Sequence, residues 1–355
     1  MSLRPPFPHT GPFRLTAPLR RAGALLLALL LLPALFWRDD GLGRWDHSRA
    51  LTITPVPVPA LSPGQLGPFR LEGAWQLASR DFLFGGWSAL IARPGGRLLA
   101  ISDRGARLSF AEPPAGPGPI QLRRTVPDRT DWITIEDAEA ATTGPSGEVW
   151  VSWEDRRAIS RFTPDFRHEM RVFPPAIANW SAQFGGESLA RVADGRFIMI
   201  SEAYLPHSYE RGHETLVFPT DPVRGGTMNG PGLVAPSRGV LHLPASGYRP
   251  TDMALLPDGR ALILQRRMVW PLPLRFSCRI AIADPADLAR TGQWTARDIA
   301  WLDPPLPTDN YEGLAVRPRA DGTLDVWVIS DDNKASTQRT LLLKLHLDPK
   351  DLPKG

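Results

Sequence analysis

From Phe69 onward the apolar positions fall in short runs, each closed by a glycine-bearing turn. Runs of about four to eight residues between such turns are the signature of strands rather than helices. The clearest unit reads Glu187-Ser188-Leu189-Ala190, then Asp194-Gly195, then Arg196-Phe197-Ile198-Met199-Ile200-Ser201-Glu202. Asp-Gly between two apolar runs predicts a hairpin. Centring the turn on Asp194-Gly195 predicts that Glu187 lies opposite Glu202 at the open end. Ser146-Gly147 likewise sets Glu139 against Glu154, and Asp321-Gly322 sets Glu312 against Asp331. In two further units Gly95-Gly96 sets Asp103 against Ser88, and Asp258-Gly259 sets Arg266 against Thr251 and Gln265 against Asp252.

These units begin near Phe84, Ile135, Phe184, Pro250 and Asn310, a spacing of about 50 to 60 residues that suits propeller blades. Further strands are expected at Ala158–Phe162, Met170–Phe173, Thr215–Phe218, Val240–Leu243, Arg279–Ala283, Trp294–Ala300 and Leu341–Leu347. The fifth unit then lacks an outer strand, which Phe69–Trp75 would supply, closing the ring without an open edge. The expected fold class is therefore all-β, a β-propeller of five blades. A sixth would have to hide within residues 203–250.

Ahead of this domain, Ala22 to Trp37 is an apolar, leucine-rich run interrupted by Pro33 and preceded by Arg20-Arg21. Residues 1–38 are read as an N-terminal helix that is an uncleaved membrane anchor, or alternatively a cleaved signal peptide. The basic flank would stay in the cytoplasm and the rest be exported. The expected location is periplasmic, with tethering to the inner membrane by residues 22–37 if the leader stays attached. Residues 39–66, with Thr54-Pro55-Val56-Pro57-Val58-Pro59, are read as a stiff linker. Residues 67–350 are then the propeller domain.

Composition changes this picture little. Hydrophobic residues make up 43% and charged residues 22% of the 355, ordinary values for a globular chain. The formal charge of +4 is misleading, because Arg4, Arg14, Arg20, Arg21 and Arg38 all precede the first acid, Asp39. The remainder, 4 − 5 = −1, is nearly neutral and gives no nucleic-acid footprint. One cysteine, Cys278, excludes an intramolecular disulfide framework and reads as a small buried hydrophobe.

Because the hairpins share a polarity, their open ends should meet at one mouth of the channel. The expected rim is Asp103, Glu139, Glu154, Glu187, Glu202, Glu312 and Asp331, with Asp252, Arg104 and Arg266 beside it. Like charges facing one another are destabilising, so a cation, shared protons or arginines must compensate. Oxygen ligands without Cys or His suit Ca²⁺ or Mg²⁺. The metal set is expected among Glu139, Glu154, Glu187, Glu202, Asp252, Glu312 and Asp331, with Ca²⁺ the favoured ion. Strand-end acids that merely meet backbone amides and solvent are the alternative. No G-x-S-x-G elbow occurs, since Gly144-Pro145-Ser146-Gly147 is a turn, and His207 and His213 match no metal-ligand spacing.

The ordered segments Ile101-Ser102-Asp103-Arg104-Gly105, Gly186-Glu187-Ser188-Leu189-Ala190, Pro250-Thr251-Asp252, Asn310-Tyr311-Glu312-Gly313-Leu314-Ala315, Ser330-Asp331-Asp332-Asn333 and Gln338-Arg339-Thr340-Leu341-Leu342 resemble the phytase-like proteins described as having esterase-like activity of phytase. The resemblance covers roughly residues 67–347. It implies an exported bacterial propeller and a hydrolase of phosphate or carboxylic esters. Trp87-Ser88, where the third unit has Glu187-Ser188, and Ala140, where the fifth has Gly313, depart from the pattern.

Two readings follow. In the first, the protein is a metal-dependent hydrolase of small phosphate esters, a monomer with Asp103, Arg104, Glu187, Glu202, Arg266 and Glu312 as its catalytic set. In the second, it is a non-catalytic envelope propeller that binds a metal or a partner. A lactonase or carboxylesterase is a third candidate.

Overall fold

The computed structural model describes residues 17–36, 50–126, 136–224, 235–271 and 274–353. Five antiparallel hairpin sheets stand in a ring, each contributing its first strand to the channel. Blade I is Trp87–Arg93, Arg97–Ser102, Ala106–Ala111 and Gln121–Arg124; blade II is Ala138–Thr143, Val149–Trp153, Ala158–Phe162 and Glu169–Val172. Blade III runs Gly186–Arg191, Phe197–Tyr204, Gly212–Phe218 and Ser237–His242, and blade IV runs Arg249–Leu255, Ala261–Pro271, Leu274–Ala283 and Arg297–Trp301. Blade V is built from both sides of the ring. Asn310–Pro318, Leu324–Asp331 and Thr340–Leu347 are followed by Phe69–Ala78, which pairs with Thr340–Leu347 as the sequence suggests. The stretch read as a linker adds a further edge strand, Thr52–Pro55, against Trp75–Ala78.

Each interblade space is filled by side chains alternating off facing sheets, the period-two pattern of strands. Trp75, Trp87 and Trp327 pack between blades V and I; Trp150, Phe197 and Met199 pack between II and III. The apolar runs are thus buried on both faces, as the near-continuous hydrophobic stretches of blades I and V require.

The strand expected at Trp294–Ala300 is instead two. Gln293–Thr295 pairs in parallel with blade III, and Arg297–Trp301 forms the edge of blade IV. The short helix Pro285–Thr291 leads into this crossing, capped by the Asp284 side chain at its start and by Gly292, φ +74°, at its end. Residues Ala17–Phe36 form the helix expected of the apolar run. Among the described residues no helix is long and apolar enough to cross a membrane.

Candidate functional site

The hairpins do not keep the simple register expected of them, and the difference builds the site. The turns are one residue longer, so that Val192 bonds Arg196 around a left-handed Gly195 (φ +96°), and Leu189 pairs with Met199. A β-bulge then takes up one more residue near the end of each inner strand. It falls between Trp87 and Ala89, Ala138 and Ala140, Gly186 and Ser188, Pro250 and Asp252, and Tyr311 and Gly313. Glu187 is therefore not opposite Glu202, nor Glu139 opposite Glu154, nor Glu312 opposite Asp331. The residue opposite each second-strand end lies two positions earlier. Glu202 N donates to Gly185 O at 2.9 Å, Glu154 N to Asp137 O at 2.8 Å and Asp103 N to Gly86 O at 2.8 Å. Arg266 pairs with Arg249, and Asp331 with Asn310.

The bulged position carries Ser88, Glu139, Glu187, Thr251 and Glu312 in blades I to V. The extra residue of a bulge is left out of the ladder and its side chain is re-aimed, which relieves the direct opposition of like charges. The acids still gather. Glu139 feels Glu187, Asp137 and Glu312; Glu187 feels Glu202, Glu154 and Glu312; Asp331 feels Glu312 and Asp103. Burial first, and then these neighbours, push all three carboxyls well above their ordinary range. Asp103 and Glu154 are each raised to about 7, again by burial first. Glu154 also accepts from the Gly185 amide.

Blade IV answers with the opposite charge. Arg266 sits 3.1 Å from Glu312 Oε1 and 3.6 Å from Glu202 Oε1. Burial alone would lower its pKa, but Glu312, Glu202 and Glu187 together raise it. Arg249 lies 3.7 Å from Glu202 Oε2, with its guanidinium 4.1 Å from the Phe184 ring centroid and 4.3 Å from that of Tyr204. Such stacking fixes a cation without neutralising it. These contacts hold Glu202 and Glu312 less strongly raised than burial alone would leave them. Arg104, by contrast, is exposed and lowers the Asp103 pKa only through its field.

Two expected site residues behave differently from the rim. Asp252 is buried below it, with Oδ1 accepting from Met253 N at 2.8 Å and Oδ2 from Leu314 N at 2.7 Å. That use ties blade IV to blade V. Asp331 Oδ1 accepts from Asn333 N at 2.7 Å, closing the turn that follows.

Sequence reasoning missed Asp137, Arg249 and Asn310. All three stand two residues before a bulge, a shared offset that becomes visible only once the bulge is known. Asp137, Glu139 and Glu154 each offer an oxygen lying within 4.8 Å of the other two. Oxygens this close can share one ion at the roughly 2.3–2.6 Å of Ca²⁺ coordination. Their neighbour Glu136 is already engaged, by a bidentate Arg171 at 2.8 and 3.1 Å, whereas the nearest arginines of the mouth serve Glu202 and Glu312. The triad is a donor set fit for a hard divalent cation.

A family model described as "Phytase-like: Esterase-like activity of phytase" matches residues 83–334. The chain belongs to this family. The match spans every rim residue of the phytase-like propeller, from the approach to blade I to the turn after Asp331. Among solved structures, this phytase-like chain is similar to glutaminyl cyclase from Myxococcus xanthus, at 10% identity and TM-score 0.43 over 79% of this chain and 97% of that one. It is also similar to the PQQ-bound aldose sugar dehydrogenase from Streptomyces coelicolor, at 14% identity and TM-score 0.39 over 84% and 99%. No curated protein matches it.

Proposed function

We propose that this phytase-like propeller hydrolyses phosphate esters at its channel mouth with a divalent cation, Ca²⁺ first, held by Asp137, Glu139 and Glu154. The observation that carries the reading is the division of charge. An acid triad on blade II faces a channel that also holds two arginines on blade IV. An anionic ester needs both. When bound, the cation would neutralise the triad and act as a Lewis acid toward a phosphoryl oxygen. Arg266 and the stacked Arg249 would grip the remaining anionic oxygens and orient them. Asp103, raised to about 7, is suited to exchange a proton with the leaving oxygen near neutral pH. Export is part of the proposal and rests on the arginine-flanked apolar run Ala22–Trp37.

The test uses the purified protein, stripped with EDTA and resupplied with Ca²⁺ or Mg²⁺. It is assayed on 4-nitrophenyl phosphate and 4-nitrophenyl acetate, beside a Glu139→Gln/Glu154→Gln variant. The expected outcome is Ca²⁺-dependent release from the phosphate, together with a Ca²⁺-induced rise in melting temperature, both lost in the variant. Turnover of the acetate alone would make it a carboxylesterase. A wild type inert on both with every cation would leave the non-catalytic binding propeller standing.

A further inference from the structure

Beside the mouth lies a cavity of about 780 Å³, walled by the protruding hairpin of blade IV and by the segment from Asp303 to Asp309. The hairpin is the continuation of Ala261–Pro271 and Leu274–Ala283 past Arg266, where Arg267 pairs with Ser277 and Met268 with Phe276. Arg267, Arg275 and Arg339 line the cavity together with Val269, Phe276 and Leu306. Among the described residues none of the three guanidiniums forms an ion pair, and Arg267 only stacks on Tyr248 at 4.8 Å. The acids of the lining do not cancel them. Asp309 is consumed by Asn310 N, Gln338 Nε2 and Arg339 N at 2.8–2.9 Å. Asp303 accepts from Ser277 Oγ at 3.1 Å through Oδ2, while its Oδ1 is buried without a donor.

This cavity shares a wall with the mouth. Phe276 lines it, and the guanidinium of Arg266, which holds Glu312, sits 5.5 Å from the centre of the Phe276 ring. A ligand here would meet an apolar floor and a cationic rim. Cavities of this size accept small organic molecules with a few fixed polar contacts.

We infer that the cavity binds the alcohol side of the ester, and that this alcohol is an organic anion with an apolar body. The inference rests on the hydrolase reading for the word ester, but the binding stands without it. Arg267 and Arg275 take the anionic group, and Phe276 and Leu306 take the body. Hydrolysis adds water across the P–O bond, so inorganic phosphate leaves from the mouth and the anionic alcohol from the cavity.

The experiment compares 4-carboxyphenyl phosphate with phenyl phosphate, in the wild type and in an Arg267→Ala/Arg275→Ala variant. Both residues are exposed, so the fold should tolerate their loss. The expected kcat/KM is about tenfold higher for the carboxylated ester in the wild type, the effect of roughly one charge-assisted contact. The variant should lose that preference while keeping its rate on phenyl phosphate. A wild type with no preference, or a preference that survives in the variant, overturns the inference. Calorimetry with 4-hydroxybenzoate separates the two readings. Binding that disappears in the variant, with no turnover of either ester, upholds the cavity and sinks the hydrolase. No binding by the wild type sinks the cavity.

Discussion

Replacing Asp103 by asparagine should stabilise the metal-free protein at alkaline pH, by an amount that shrinks steadily as the pH falls towards about 4. Burial, then Glu312 and Asp137, lift the Asp103 carboxyl from its ordinary 3.8 to about 7, against partial relief from Arg104. In the unfolded chain the same group titrates near 3.9. Between roughly pH 4 and 7 the folded protein therefore holds a proton that the unfolded chain has lost, and stability falls as the pH rises through that window. Below it Asp103 is neutral in both states and costs nothing. Above it the folded protein carries the whole penalty. At 1.36 kcal/mol per pKa unit the displacement amounts to roughly 4 kcal/mol. Solvent still reaches part of the side chain and screens the field, so about half of that, ~2 kcal/mol, is the expected gain. His213 tilts the raw profile the other way. Its pKa is lowered to about 4 by burial, so it favours folding increasingly from about pH 4 to 6.5. Its contribution is common to wild type and variant and cancels in the difference. The assay is urea unfolding of both proteins in EDTA at pH 5 and pH 8, compared at equal m. An Asp103→Asn variant that is neutral or destabilised at pH 8 would refute the crowding of like charges at the mouth.

Arg266→Met should cost about 3 kcal/mol in urea, since it leaves Glu202 and Glu312 buried without their shared cation; a loss below about 1 kcal/mol would mean the pair is already neutralised by protons. Asp252→Asn should cost about 1–3 kcal/mol, because one oxygen that accepts from Met253 or Leu314 becomes an amide donor. The same variant should keep the Ca²⁺-induced melting shift, and losing it would make Asp252 part of the cation site instead of a strut between blades.

Much of the architecture could be read from the chain because propeller hairpins write themselves locally. Asp194-Gly195 and Asp321-Gly322 need only a left-handed glycine and two apolar runs to declare a turn. The closing strand was legible as Phe69–Trp75 by elimination, since Leu341–Leu347 had no outer neighbour. What stayed hidden was register. A one-residue change at the turn and another at the bulge have no sequence signal, because a bulged Glu187 and an in-register Glu187 are spelled alike. Hence the rim acids were found but their partners were misplaced by two residues, and Asp137 and Arg249 went unnoticed. Gln293–Thr295 was joined to Arg297–Trp301 for a similar reason: crossing from one sheet to the next leaves the local pattern intact. Asp252 looked like its neighbours on the rim, and only the amides of Met253 and Leu314 reveal that it faces inward.

The composite blade also governs the order in which the molecule can assemble. Blades I to IV pair strands close together in sequence, so each can form early at little loop-closure cost. Blade V cannot, because Phe69–Ala78 must find Thr340–Leu347 across the whole of the intervening ring. That contact carries the highest contact order in the fold and should be the slow step. Until it forms, the array of blades is an open arc with two unsealed edges, and the channel mouth, which needs all five blades around it, does not yet exist.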